Sequence, residues 1–400
     1  MLTFQNFIIC ESATSEEQLT HLYHNEEHIL NHGQDGFHHA IANLKEVHNK
    51  LSGGRADKNT HITQKIDGSP SLIYGVHPHT GKRFVATKSA FNKDPKINYT
   101  EADIDKNHGH APGLSAKLKL ALKHLPKVMP KHGVYQGDVL HSHDDKHDDG
   151  THISFKPNTI TYGIHKDHPD YAKAKESKFG IAFHTKYEGT PTSDHHIGGM
   201  FATFNVDHSK FKQHKDVHLV SPEVDASKMK YSDKQKSKVD EKLKKAEDLH
   251  SSIKSEEYAA VQHHDAHLRK YYNAKVRDGG TPSVDDYHSS VSKALNTEAD
   301  KMKSEKGKAA KKEVADAFVT HVNNHKEAFK KVMKLHDHLQ GAKDELVNAL
   351  SSHQDYKHTV NGKEVKPEGF VVIRHGRPSK LVDRQEFSKM NFENNRGRVA

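Results

Sequence analysis

The 400-residue chain is long enough for two or three domains, with at least one well-buried core. Hydrophobic residues make up 33% of it and charged residues 28%, which favours an ordinary core joined to a large, solvated helical part. The formal net charge of +8 is a mild bias towards polyanionic partners. Cys10 is the only cysteine, which excludes a disulfide within the chain and cysteine-based metal sites, and favours a cytoplasmic protein. No segment has the apolar length of a membrane span, so we expect no membrane partner.

The first predicted element is a helix from about Ser15 to Leu51, whose apolar stripe is interrupted near Gly33. Beyond Gly53-Gly54 the pattern changes to short strands, with a helix among them at 114–125. The first predicted strand begins at His61 in the run 61–68, and further predicted strands lie at 71–76, 83–87, 133–140, 159–164 and 179–185. This alternation predicts an α+β fold built on antiparallel sheets.

A second change occurs near residue 227, where apolar residues begin to recur every three or four positions. The repeat predicts a long α-helical insertion, after which strands return at 368–374 and 380–383. The predicted organisation therefore has four parts. They are an N-terminal helical segment packing on the core (1–54), the first part of the core (55–226), the helical insertion (227–354) and the closing strands (355–400).

The most informative short pattern is Lys-x-Asp-Gly at Lys65 to Gly68, at the end of a predicted strand. In isolation this pattern more often marks a strand that ends in an Asp-Gly turn beside a solvent-exposed lysine. Here a predicted hairpin follows, and further motifs come after it in order. With them, the chain resembles the covalent lysine-nucleotidyltransferase superfamily, which comprises DNA ligases, RNA ligases and mRNA capping enzymes.

The N-terminal half carries four elements of this resemblance. Lys65 to Gly68 resembles motif I, which contains the nucleotide-accepting lysine, and Lys88 resembles the basic element that RNA ligases place after it. Tyr135-Gln-Gly-Asp138 resembles motif III, with aspartate where glutamate is usual. The segment 159–164 is similar to motif IIIa, whose aromatic residue stacks on the base. Tyr162 is the candidate for that role and Phe183 is its rival.

The C-terminal part carries two more elements. Glu368-Gly-Phe-Val-Val resembles motif IV, and Ser379-Lys380-Leu-Val-Asp resembles motif V, although Val382 replaces its usual second lysine. Arg377 or Arg384 could share the task of Lys380. Each of these residues also has a purely structural interpretation. In that interpretation Lys88 is a solvated surface lysine, Asp138 is an aspartate in a turn, Glu368 begins an edge strand and Tyr162 is a core aromatic residue.

The resemblance implies an ATP-grasp-like nucleotidyltransferase core in which Lys65 attacks the α-phosphate of ATP, with Lys380 as a second catalytic cation. It further implies nucleotide binding by Asp67, Gly68, Lys88, Asp138, Tyr162 and Glu368, and oxygen ligands for Mg²⁺ from Asp138 and Glu368. We expect Asp67 to orient the motif loop rather than to transfer a proton. Gly68 lets the backbone approach the nucleotide closely.

The segment up to about Tyr187 is also similar to an uncharacterised family of tailed-phage proteins. The shared patterns are Lys-x-Asp-Gly, Thr-Lys-Ser-x-Phe-Asn-Lys, Gln-Gly-Asp and Phe-His-Thr. This similarity implies the host cytoplasm as the location, with virion association as the alternative.

The function we expect is that of an ATP-dependent, RNA ligase-like nucleotidyltransferase. RNA is favoured over DNA because the 20 residues after Lys380 are too few for the OB-fold that DNA ligases carry there. The insertion would contact nucleic acid or a protein partner. Three alternatives stay open: GTP as the donor, a protein or small molecule as the acceptor, and a virion-associated or scaffold-like binding protein that keeps the fold without catalysis.

A second segment rich in potential metal ligands runs from His141 to Gly150 and contains three histidines and four aspartates. Such side chains could hold a transition metal, but they lack the spacing of a zinc site. We interpret the segment as a solvated loop that follows a strand.

Overall fold

The computed structural model describes residues 22–55, 57–193, 197–204 and 206–384. The described chain divides into two compact units: a first unit with 61–224 and 353–378, and a second unit with 23–60, 225–352 and 379–384. The first unit contains the sheets and the second is helical, so the α+β class with antiparallel sheets is confirmed. Among the described helices, none is both long and apolar enough to cross a membrane.

Ten α-helices are described. In chain order they are α1 (His28–Leu51), α2 (Glu101–His108), α3 (Pro112–His124), α4 (Tyr171–Glu176), α5 (Asp233–His250), α6 (Ser255–Gln262), α7 (Asp265–Asp278), α8 (Val284–Asp300), α9 (Glu305–Asn324) and α10 (Lys326–Leu350). Helices α2 to α4 belong to the first unit and the others to the second. The predicted insertion thus corresponds to residues 225–352.

Fifteen strands are described. They are β1 (Thr60–Gln64), β2 (Ser71–Val76), β3 (Arg83–Ala86), β4 (Ile97–Asn98), β5 (Val134–Ser142), β6 (Lys146–Asp148), β7 (His152–Phe155), β8 (Thr161–His165), β9 (Phe179–Glu188), β10 (Phe201–Thr203), β11 (Val217–Leu219), β12 (Lys357–Val360), β13 (Lys363–Glu364), β14 (Phe370–Arg374) and β15 (Arg377–Leu381).

The largest sheet has the order β10-β9-β5-β2-β3-β4, and all of these neighbours are antiparallel. Strand β11 adds to β9 in parallel. A second sheet has the order β13-β12-β8-β7-β6. A small sheet contains β1 beside β14, and the chain passes from the first unit to the second within β15.

Strand β2 shows how alternation builds the first unit. Leu72 and Tyr74 point into one core cluster, while Ile73 points to the opposite face and joins another. The first cluster is closed by α3, whose Leu118 and Ala121 recur at helical spacing and are fully buried. The large sheet is therefore covered on both faces and offers a rigid frame for the loops at its ends.

Helix α1 belongs to the helical unit. Its contacts explain this placement: the Phe37 ring stacks on His250 of α5 at 3.9 Å, and α1 also packs against α6 and α10. The predicted interruption is confirmed, since Gly33 has φ +52° and breaks the helix. The part of the predicted helix before residue 22 lies outside the described residues.

Candidate functional site

Lys65 follows the last residue of β1 and is fixed by its backbone. The Lys65 N–H donates to the Gly369 carbonyl over 2.9 Å, and the preceding Gln64 N–H donates to the Pro222 carbonyl over 2.7 Å. The Lys65 side chain is 30% exposed, and its ammonium forms an ion pair with the Glu368 carboxylate, which is 11% exposed. The structure therefore brings together the residues that resemble motifs I and IV.

Asp67 is held by two residues of the second sheet region. Its backbone N–H donates to the Tyr162 hydroxyl over 2.8 Å, and its carboxylate accepts a 2.9 Å hydrogen bond from the Asn158 amide. These two hydrogen bonds hold Asp67 in place, and its expected role in orienting the loop that follows Lys65 stays a prediction.

Gly68 lies so close to β5 that no side chain fits there. A Cβ at this position would be 2.6 Å from the Asp138 Cβ and 2.8 Å from the Val139 carbonyl oxygen. Two hydrogen bonds hold the residues after Gly68 against β5. The Ser69 N–H donates to the Val139 carbonyl, and the Val139 N–H donates to the Pro70 carbonyl. Gly68 thus permits the approach of the lysine loop to Asp138.

Asp138 stands on β5, opposite Ser71 of β2 in the ladder. Burial alone would raise the pKa of the Asp138 carboxyl. Hydrogen bonds from His184 and Ser71, and the positive charges of His184 and Lys65, outweigh that effect and hold its pKa below the usual value. The His184 Nε2 lies 3.5 Å from the carboxylate. Asp138 is therefore an anion at neutral pH, and it lies close enough to Lys65 for their charges to interact.

Tyr162 is not placed to stack on a nucleotide base, so the structure does not support that expectation. Its side chain is only 2% exposed, one ring face stacks on Phe155, and His358 packs against it edge-on at 5.0 Å. Phe183, the rival candidate, is equally buried in the core cluster of the large sheet. The Tyr162 hydroxyl instead holds the Asp67 backbone. Its pKa is raised by burial and further by the charges of Asp67, Glu368 and Asp138, which all lie nearby.

The remaining two predicted cations lie on other elements. Lys88 follows β3, which pairs with β2 at the end of the sheet that also carries Ser71 and Asp138. Its side chain is exposed and forms no ion pair with the described residues. Lys380 belongs to the second unit, where its N–H donates to the Tyr23 carbonyl over 2.9 Å. Its catalytic role stays a prediction.

A cavity of about 460 Å³ opens beside this group in the first unit. Thr63, two residues before Lys65, lines it, and so does His184, which contacts Asp138. The other lining residues are His61, Phe204, Val206, Asp207, His208, Ser209, Ser221, Pro222, Glu223 and Ile373. Both polar and apolar side chains line the cavity, and its volume is that of a site for a small organic ligand.

Asp138 and Glu368, the expected magnesium ligands, both lie near Lys65. Mg²⁺ commonly takes only one or two protein carboxylates and completes its shell with substrate phosphates and water, and its binding by these two residues stays a prediction. Within the described residues, no group of three or more histidine, cysteine, aspartate or glutamate side chains is arranged to hold a metal ion. The same finding applies to the segment from His141 to Gly150. That segment also differs from a plain loop, because β6 forms a hairpin with β7 there.

Sequence patterns did not assign three residues that the structure adds to the site: Ser71, Asn158 and His184. Ser71 and Asn158 lie in segments without a distinctive pattern. His184 lies in Phe-His-Thr, one of the patterns shared with the tailed-phage proteins. That shared pattern was the available signal for His184.

The comparison with known proteins identifies the family. The chain belongs to a family of unknown function (DUF6267), whose sequence model matches residues 19–396. Nothing matches the chain among curated proteins or among solved structures. Because the match spans both compact units, the sheets and the helices are parts of one family architecture.

Proposed function

We propose that this protein is an ATP-dependent nucleotidyltransferase with an ATP-grasp-like core, which forms a covalent Lys65–AMP intermediate. The observation that carries the proposal is the ion pair of Lys65 with Glu368, beside the Asp138 carboxylate and next to the cavity lined by Thr63 and His184. These features support the proposal, because lysine nucleotidylation needs a lysine nucleophile, oxygen ligands for a metal ion and space for a nucleotide.

The proposed first step is attack of the neutral Lys65 amine on the α-phosphorus of ATP. An N–P bond forms, the bond to the β-phosphate oxygen breaks, pyrophosphate leaves, and the two protons lost by the Lys65 ammonium pass to solvent. Glu368 and Asp138 would hold Mg²⁺, which when bound neutralises negative charge on the phosphate oxygens. The cavity would bind the nucleoside part of ATP. Its three histidines and two carboxylates offer donors and acceptors to a base and a ribose.

The proposed acceptor is the 5′-phosphate of an RNA strand, whose adenylylated end is then joined to a 3′-hydroxyl with release of AMP. The net charge of +8 supports a polyanionic substrate. The host cytoplasm is the proposed location, by similarity to the phage proteins.

One observation favours a second candidate, a virion-associated or scaffold-like protein that keeps the fold without catalysis. The Lys65 ammonium is engaged in an ion pair with the Glu368 carboxylate, whereas the nucleophile of the covalent reaction is the neutral amine. Val382 also stands where the superfamily has a second motif V lysine.

Covalent labelling separates the two candidates. Purified protein is incubated with ATP or GTP carrying ³²P at the α-position, with Mg²⁺, and is then denatured on a gel. We expect label on the wild type, none on Lys65→Ala, and release of the label by pyrophosphate. Lys166→Ala is the matched control, because Lys166 is an exposed lysine of the same unit and makes no ion pair with the described residues. Absence of label from folded, nucleotide-free wild type with either donor would favour the non-catalytic protein.

A further inference from the structure

A dense group of lysines surrounds the end of the hairpin formed by α8 and α9 in the second unit. Residues 301–312 contain six lysines and one acidic residue, Glu305. We call these lysines the tip cluster: Lys301, Lys303, Lys306, Lys308, Lys311 and Lys312. All of them are exposed except the half-buried Lys308.

The tip cluster forms few ion pairs, although Asp300, Glu305 and Glu313 lie beside its lysines in the sequence. Only Lys308 forms an ion pair, with Asp300 at 3.6 Å; the other five form none with the described residues. Helix α5 is an internal comparison, since it also carries six lysines. Four of those are paired: Lys236 with Asp233, Lys238 with Glu345, Lys244 with Asp248 and Lys245 with Glu241. Most lysines of α5 are therefore neutralised by ion pairs, whereas most lysines of the tip cluster are not.

Helix stability does not explain the four lysines of α9, which are Lys306, Lys308, Lys311 and Lys312. The first turn of α9 is already capped by Ser304, whose hydroxyl accepts a 3.1 Å hydrogen bond from the Gly307 N–H. Cations near a helix N-terminus oppose the helix dipole, so lysines there reduce local stability. A negatively charged partner at the tip would offset that effect.

We propose that the tip cluster binds the phosphate backbone of single-stranded RNA. Lysine ammonium groups contact phosphates without regard to base sequence. From Lys306 to Lys312 the helix rises about 9 Å, so lysines along this length can contact more than one phosphate of a strand. Met302 is 42% exposed between Lys301 and Lys303, where it can contact a base. Only the choice of RNA over DNA rests on the proposed function.

An anionic membrane is less well matched to this surface. Membrane-bound helices combine basic residues with a broad apolar face. Among the described residues of the second unit, Met302 and Val314 are the only large hydrophobic side chains that are exposed. Two separated side chains do not form such a face, so the surface suits a polyanion in water.

The test is fluorescence anisotropy of a labelled oligouridylate with the full chain, repeated between about 50 and 200 mM KCl. The tip variant replaces Lys301, Lys303, Lys306, Lys311 and Lys312 with Gln. The matched control replaces Lys234, Lys236, Lys242, Lys244 and Lys245 of α5 with Gln, which changes the net charge of the same unit by the same amount. Circular dichroism melting verifies that both variants fold, and replacement of the five tip lysines with Arg should restore binding.

We expect the tip variant to bind the oligouridylate at least about tenfold more weakly than the control. Its plot of log affinity against log salt should be shallower by about 2 to 3.5, which corresponds to three to five lost phosphate contacts. Equal affinity of the tip and control variants would overturn the proposal, as would tip-dependent binding to phosphatidylserine vesicles without binding to RNA. A deoxyuridine oligonucleotide bound more tightly than RNA would overturn the choice of RNA. Covalent labelling of the tip variant should equal that of the wild type, so failure here is distinct from failure of the Lys65 proposal.

Discussion

The Lys65 ammonium contacts the Glu368 carboxylate, although the helical residues 225–352 lie between them in the sequence. Two hydrogen bonds fix the geometry on the lysine side: Lys65 N–H to the Gly369 carbonyl, and Asp67 N–H to the Tyr162 hydroxyl. The pair is therefore built by backbone pairing between β1 and the approach to β14, rather than by the reach of two flexible side chains. Glu368, Gly68 and Tyr162 surround this pair or hold its loop, and each can be tested by substitution.

Glu368→Gln should separate site chemistry from stability. The variant keeps the shape of the side chain but removes its charge, so we expect covalent labelling to fall at least about tenfold. The free energy of unfolding should fall by less than about 3 kcal/mol, because Lys65 is partly exposed although the Glu368 carboxylate is nearly buried. Glu364→Gln, at an exposed carboxylate on β13, serves as the control and should label normally. Full labelling of Glu368→Gln would remove Glu368 from the site.

Gly68→Ala should destabilise the first unit by about 1–3 kcal/mol, because its Cβ would overlap Asp138 and Val139. Thermal and urea unfolding measure the change. Gly113→Ala is the counterpart: Gly113 lies in α3, where an added methyl group would meet nothing within 4 Å, so alanine there should stabilise by about 0.4–1 kcal/mol. Equal effects of the two substitutions would show that the lysine loop does not depend on close approach to β5.

Tyr162→Phe should cost about 1–3 kcal/mol of unfolding free energy and reduce labelling, because the Asp67 N–H loses its acceptor while the ring stays in place. Tyr287→Phe is the control, since the buried Tyr287 hydroxyl has no hydrogen-bond partner within the described chain and its loss should be near neutral. If Tyr162→Phe retained full stability and labelling, the hydroxyl would have no part in positioning Asp67.

Acid should destabilise the first unit through its buried histidines. His218 is fully buried beside His141 and Tyr356, and burial is the main cause that lowers its pKa to about 4, against the opposing charge of Asp170. The unfolded chain therefore takes up this proton first, near pH 6.5. The free energy of unfolding should fall as pH decreases from about 6.5 to 4, by up to about 1.4 kcal/mol per pH unit for this group.

The variant His218→Gln tests that assignment by the slope of stability against pH, measured by urea unfolding at several pH values. We expect a shallower slope than in the wild type. Replacement of the exposed His110 with Gln should leave the slope unchanged. A slope in His218→Gln equal to that of the wild type would assign the acid sensitivity to other groups, such as His141, whose pKa is also lowered by burial.

Local patterns predicted the elements that carry the site. Alternation and turn residues located β2 and β3, leucine spacing located the helix that is now α3, and Lys65 indeed follows the end of β1. Such local patterns could not predict contacts between residues that are far apart in the sequence. The environment of Tyr162 depends on Phe155 and His358 from neighbouring strands, and a single tyrosine in a strand does not indicate which aromatic rings will cover it. For the same reason the packing of α1 on helices more than 180 residues away could not be deduced from its apolar stripe.

The most direct test of the central claim is mass spectrometry of the intact protein after incubation with ATP and Mg²⁺, followed by fragmentation of its peptides. The proposed function predicts one added AMP, located on Lys65, absent from Lys65→Ala and present in Lys166→Ala. An AMP group on another lysine, or no adduct in folded protein that binds ATP, would contradict it.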